Sequence, residues 1–244
     1  MSGYKVYLGC NGSDVNRIIK AKPSIAVIDF TEFGNTQINK LRSKGIKLIS
    51  YLNVGAIERS RPYFKTYCKY ALGKYEDWDE LWMDISQQEW KGALAGQARA
   101  FKARGADGLY IDNLDVVEEY KPRNLYPHAV ELLSRIRQET GLYLMVNGAD
   151  YFVATAVVKN QRSFQAIQQE EVFTRITDIE GNKAKSQKKA EKKRLKAYCV
   201  AAKKRGLDVF LLEYRPSASN KVKIKAFCKK YGLYFYNSKT VDLI

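Results

Sequence analysis

Short apolar runs that end at a polar residue recur along the chain, and each is followed by a segment with helical spacing. The runs are "YKVYLG" (4–9), "IAVIDF" (25–30), "IKLISYLN" (46–53), "LYID" (109–112), "LYLMVN" (142–147), "FQAIQQE" (164–170), "VFLLEY" (209–214) and "LYFYN" (233–237). Helices are predicted near 13–21, 35–44, 87–104, 126–139, 149–159, 182–205 and 219–231, with apolar positions three apart such as Val130, Leu133 and Ile136. Gly105, Gly141, Gly206 and Gly232 stand just past four of these segments, where a glycine ends a helix. Strands alternating with helices predict a parallel sheet covered on its outside. Eight of them predict an α/β fold, a (β/α)8 TIM barrel, with residues 1–244 as one domain. "LWMDI" (81–85) is a ninth, short run that must lie outside the barrel or extend it. A doubly wound sheet is the competing arrangement, but no G-x-G-x-x-G follows the first run.

Residues two apart share a strand face. Ile25, Val27 and Asp29 therefore align, as do Ile49, Tyr51 and Asn53; Gly108, Tyr110 and Asp112; and Tyr143, Met145 and Asn147. Ala166, Gln168 and Glu170 align, and so do Val209, Leu211 and Glu213. Each series ends on a polar residue, which a parallel barrel gathers at its C-terminal rim, where active sites form. Asp29, Asp84, Asp112, Glu170 and Glu213 are the carboxylates expected there.

Composition narrows the chemistry. The single histidine, His128, follows Pro127 at a helix start and reads as a surface residue, which excludes histidine-rich zinc sites and Ser-His-Asp triads. Four cysteines without a C-x-x-C pair read as structural thiols. No apolar stretch is long enough to span a membrane. "MSGYKVYLG" lacks the basic and apolar regions of an export signal. The net charge is +16, and "NKAKSQKKAEKKRLK" (182–196) carries eight Lys/Arg against one Glu. That run is either a solvated helix face, backed by Leu195, Tyr198 and Cys199, or a contact for an anionic polymer or cell surface.

An acid-lined mouth suits glycoside hydrolysis, in which one carboxyl stays protonated and its partner is ionised. Crowding carboxylates raises some of their pKa values. Seventeen tyrosines are available as sugar platforms, with Tyr51, Tyr63, Tyr110 and Tyr214 on or beside strand ends. A divalent metal on Asp29, Asp112 and Asp115 is the rival use, but no EF-hand spacing supports it, and neither metal nor cofactor is expected. Asp115 is read as a loop cap or sugar contact, and Glu118 and Glu119 as surface charges.

The segments "VIDF" (27–30), "ISYLNVGAIERSRPYF" (49–64), "WDELWMDISQQEW" (78–90), "GADGLYIDNLDVVE" (105–118), "VNGADYF" (146–152) and "IQQEEVF" (167–173) resemble successive motifs of glycoside hydrolase family 114. Characterised members of that family are (β/α)8-barrel endo-α-1,4-polygalactosaminidases acting on galactosamine-containing exopolysaccharides. The resemblance implies a catalytic pair of Asp112 and Glu170, with Glu171 the out-of-face neighbour. It also implies a substrate cleft lined by Asp29, Tyr51, Asn53, Glu58, Arg61, Asp84, Asn147 and Tyr214, to which the strand-face reading adds Tyr110 and Glu213, and the loop after the strand adds Asp115 as a candidate sugar contact. Such an enzyme is expected to be extracellular or on the cell surface, monomeric, and bound to a polysaccharide. A non-catalytic basic barrel that holds an anionic polymer is the alternative; carboxyls more than ~10 Å apart would favour it.

Overall fold

The computed structural model describes residues 3–76 and 78–244. Eight parallel strands form one sheet: β1 (Tyr4–Tyr7), β2 (Ile25–Ile28), β3 (Lys47–Asn53), β4 (Gly108–Asp112), β5 (Tyr143–Asn147), β6 (Ala166–Glu170), β7 (Asp208–Tyr214) and β8 (Tyr234–Ser238). Each pairs with the next in chain order. β8 returns to lie beside β1, which nearly closes the barrel. Outside run helices α1 (Val15–Lys20), α2 (Asn35–Arg42), α3 (Gln88–Ala103), α4 (Tyr126–Thr140), α5 (Asp150–Val158), α6 (Lys189–Lys204) and α7 (Ala218–Tyr231). This is the TIM-barrel architecture.

The strand pattern divides the core in two. Tyr4, Val27, Ile49, Tyr110, Met145, Ala166, Phe210, Leu212 and Tyr214 fill the barrel interior. Alternate residues such as Ile28, Leu48, Leu109, Val146, Ile167 and Leu211 face the helices. The interior is closed below by aromatic rings: Phe210 stacks on Tyr234 at 4.5 Å and meets Tyr4 at 4.7 Å. α4 shows the local logic. Pro127 lies in its first turn, Ala129, Leu132, Leu133 and Ile136 are buried, and Gly141 ends it with φ +66°.

Two insertions rise above the C-terminal rim. After β3, the strands Ala56–Glu58, Ala71–Tyr75 and Glu80–Met83 form an antiparallel sheet with Glu80–Met83 in the middle. The ninth run of the sequence thus lies outside the barrel. Trp90 of α3 anchors this insertion through a 3.0 Å bond from its indole to the Val54 carbonyl. After β6, Thr174–Asp178 and Lys183–Ser186 form a hairpin. Here the expected helix over 182–205 needs correction: its first residues are a strand, and α6 starts at Lys189. The lysine-rich run has no apolar stripe before Leu195, so helical periodicity had nothing to act on there.

The strand ends share a device. Asn113, Gly148, Glu171 and Arg215 directly follow β4, β5, β6 and β7, with φ of +61°, +57°, +59° and +44°. A left-handed residue turns the chain out of the sheet at once and leaves the last side chain of the strand aimed into the mouth.

Candidate active site

The mouth is an open cleft of about 1210 Å³. At its floor, Asn147 stands between two acids. Its Nδ2 donates to Asp112 Oδ1 at 2.9 Å and to Glu170 Oε1 at 3.0 Å. The two carboxylate oxygens are therefore at most about 6 Å apart, the combined length of bonds of 2.9 and 3.0 Å to one nitrogen. The Asn147 amide is oriented in turn by Gln168, whose Nε2 donates to Asn147 Oδ1 at 3.1 Å. Gln168 is fully buried, and its own Oε1 accepts from the Tyr4 hydroxyl. A relay from β1 through β6 to β5 thus fixes the group that spaces the acids.

Glu170 also accepts from Tyr214 at 2.5 Å and from Tyr110 at 3.3 Å. Burial, with Asp112 nearby, pushes its carboxyl up to about 7 against the pull of the Tyr214 and Asn147 bonds. Burial raises Asp112 too, opposed by hydrogen bonds from Asn147, the Asn113 N–H and Tyr51. Asp115 lines the cleft wall and accepts from Ala149 N at 3.1 Å; burial and the Asp112 charge push it to about 6.

On the β2–β3 side, Arg61 bridges Asp29 and Glu58 at 2.8 Å each and donates to Thr31 Oγ1 at 2.7 Å. Asp29, Tyr51, Glu58, Arg61, Tyr110, Asp112, Asp115, Asn147, Glu170 and Tyr214 all line the cleft, as the sequence reading expects. Asn53 sits one step behind the wall, donating to Glu80 at 3.0 Å and accepting from Ala56 N.

Two expected rim acids lie elsewhere. Asp84 directly follows a strand of the inserted sheet rather than a barrel strand, and it accepts from the Ser86 N–H and hydroxyl and from Gln87. That arrangement makes it a turn residue before α3. Glu213 faces outward. On β7 the inward set is Phe210, Leu212 and Tyr214, not Val209, Leu211 and Glu213. Strand β7 is apolar on both faces, so alternation could not tell them apart. Glu213 is fully buried and accepts from Phe173 N, Thr174 N and Thr174 Oγ1, pinning the base of the second hairpin. Tyr63 leaves the cleft too, packing against Trp90.

Sequence reasoning missed Glu80, Asn113, Glu171 and Arg175 as cleft residues. Glu171, apart from lining the cleft, accepts from Ile176 N at the hairpin base. Asn113 was adjacent to Asp112, but only its left-handed turn brings its amide to Asn53 and Glu80. Among the described residues no three Asp, Glu, His or Cys side chains are grouped to hold a metal ion, and no helix is long and apolar enough to cross a membrane.

A TIM barrel whose mouth holds two carboxyls spaced by one amide has the layout of a glycosidase. The model of glycoside-hydrolase family GH114 matches residues 4–238, and the chain belongs to that family; it is a glycosidase. Among solved structures, the fold is similar to the glycoside hydrolase domain of PelA from Pseudomonas aeruginosa. That match has 17% identity and a TM-score of 0.82, over 99% of this chain and 96% of that one. Ega3 from Aspergillus fumigatus, solved in complex with galactosamine, gives 16% identity, a TM-score of 0.76 and coverage of 99% and 92%. An α-galactosidase from Thermus thermophilus gives 12% identity and a TM-score of 0.69, over all of this chain and 59% of that one. No match was found among curated protein sequences.

Proposed function

We propose that this glycosidase cleaves galactosamine-containing polysaccharide in endo fashion outside the cell, with Glu170 as general acid/base and Asp112 as nucleophile. The observation that carries the mechanism is the shared Asn147 nitrogen. It brings the facing oxygens of the two carboxylates within about 6 Å, which favours the closer pair of a retaining enzyme (~5–5.5 Å) over the wider pair (~6.5–9.5 Å) that leaves room for water. Glu170, near pH 7, is poised to give a proton to the leaving oxygen and take one from water. Asp112 receives three hydrogen bonds that favour its charged form. The same spacing disfavours the reading as a non-catalytic barrel.

An amino-sugar substrate is supported by the family and by the galactosamine in the similar Ega3 structure. The charge layout supports it as well. The protein carries 42 basic side chains, yet Glu80, Asp112, Asp115 and Glu170 make no ion pair among the described residues. The basic excess lies outside, where α6 and α7 carry Lys189, Lys192, Lys193 and Lys196, then Lys221, Lys223 and Lys225. That face suits an anionic cell surface and leaves the acidic cleft to a cationic sugar. The test is hydrolysis of α-1,4-galactosamine polymer followed by proton NMR. Initial release of the α-anomer supports the reading; the β-anomer, or no cleavage, overturns it.

A further inference from the structure

Glu80 has no role in a two-carboxylate reaction, yet the fold builds a support for it. It lies on the inserted sheet directly opposite Glu58. Like charges facing each other across strands are unfavourable. Glu58 is paired with Arg61 at 2.8 Å, whereas Glu80 makes no ion pair among the described residues and feels Arg61 only at longer range. Its Oε2 instead accepts from Asn53 at 3.0 Å and from Asn113 at 3.2 Å. Those asparagines sit at the end of β3 and immediately after β4, so the acid is held against the turn that follows Asp112. Glu80 lines the cleft together with Trp78. Trp78 is 46% exposed, an unusual state for the largest aromatic side chain, and its carbonyl accepts from the Glu80 N–H at 2.8 Å.

We infer that Glu80 is a specificity-determining residue that supplies the counter-charge for a protonated sugar amine bound beside Asp112, with the Trp78 indole as the platform under that sugar. The inference rests on the amino-sugar reading above and adds the residue that distinguishes a free amine from its acetylated form. A carboxylate already desolvated and already held by two amides loses little on meeting an ammonium group. An N-acetyl group offers no charge to meet it and leaves the acid unpaired. Burial and Glu58 push the Glu80 carboxyl up to about 7, so the preference is strongest near neutral pH, where the acid ionises while the sugar amine still holds its proton.

The experiment is calorimetric titration of α-1,4-linked galactosamine oligosaccharides, free-amine and N-acetylated, at pH 7. The proteins are Glu170→Gln, Glu170→Gln/Glu80→Gln and Glu170→Gln/Glu80→Ala, with wild-type cleavage of both polymers measured alongside. Glutamine keeps an acceptor for Asn53 and Asn113 and removes only the charge. The expected result is a roughly tenfold loss of affinity for the free-amine ligand in the Glu80→Gln protein, with about twofold or less for the acetylated one. Equal losses for both ligands, or a loss confined to Glu80→Ala, would mean that Glu80 only supports the turn and would overturn the inference while leaving the amino-sugar reading intact. Failure of the wild type to cleave either polymer, with no binding by the Glu170→Gln protein, overturns that reading and the inference with it.

Discussion

Tyr214 donates its phenolic hydrogen to Glu170 Oε2 at 2.5 Å, from the strand next to the one that carries the acid. This bond favours the ionised carboxylate and opposes the burial that raises it. Tyr214→Phe should therefore move the basic limb of the pH–rate profile upward by about one pH unit. It should also lower kcat/KM roughly tenfold, because the carboxyl loses one of its anchors. An unmoved basic limb would separate Glu170 from the titration.

The raised carboxyls also tie stability to pH. Glu170 titrates near 7 in the folded protein, against an ordinary value of 4.5. Folding takes up a proton between those values, so the stabilising contribution is complete below about 4.5 and is lost as pH rises through about 7. Glu170→Gln removes this dependence. Its Tm should exceed that of the wild type by more at pH 8 than at pH 4, while its hydrolytic activity falls by about 10²–10⁴-fold. Scanning calorimetry at the two pH values checks the sign.

Glu213 satisfies three buried donors at the root of the second hairpin. Glu213→Ala leaves them without an acceptor and should cost about 3 kcal/mol, a fall in Tm of roughly 6–12 °C for a chain of this size. Glu213→Gln keeps one acceptor and should fall between the two. Thermal melts rank the three proteins, and a Glu213→Ala melt equal to that of the wild type would refute the role.

Gly55 and Asn113 meet backbone to backbone. A Cβ on Gly55 would fall 1.7 Å from the Asn113 carbonyl oxygen, which is possible only if the turn after Asp112 moves. Gly55→Ala should lower both Tm and kcat, since it displaces the support of the acid. Gly92→Ala on α3 is the control: its surroundings are open, and it should gain up to about 1 kcal/mol of stability with unchanged turnover.

What could be read from the sequence follows from what alternation can encode. β2 to β6 each present one clear inward series, and that parity suffices to put Asp112, Asn147 and Glu170 on the face that lines the cleft. β7 is apolar on both faces, so parity turns Glu213 inward by error, while Tyr214 reaches the cleft reading only through the family resemblance and without its partner Glu170. Asp84 was mistaken for a rim acid because a strand of the inserted sheet looks locally like a strand of the barrel. Glu80 stayed hidden for a different reason. Its neighbours Asn53 and Asn113 come from two other segments, and only the closed barrel with its left-handed turn brings the three together. Tyr4 lies 164 residues from the amide it orients, beyond the reach of any local signal.

The left-handed residues after β4 to β7 have a consequence for how this enzyme would change under selection. Asn113, Glu171 and Arg215 each hold a backbone state that costs side-chain-bearing residues on the order of 1 kcal/mol or more. Selection for heat resistance alone would drift toward glycine at Arg215 wherever the relieved strain outweighs the lost 2.7 Å bond to the Asn182 carbonyl, and no acid would be touched. At Asn113 the same drift would remove the amide that holds Glu80, and at Glu171 the side chain that ties down the hairpin. Heat tolerance and turnover would then be traded against each other at two rim positions and decoupled at the third.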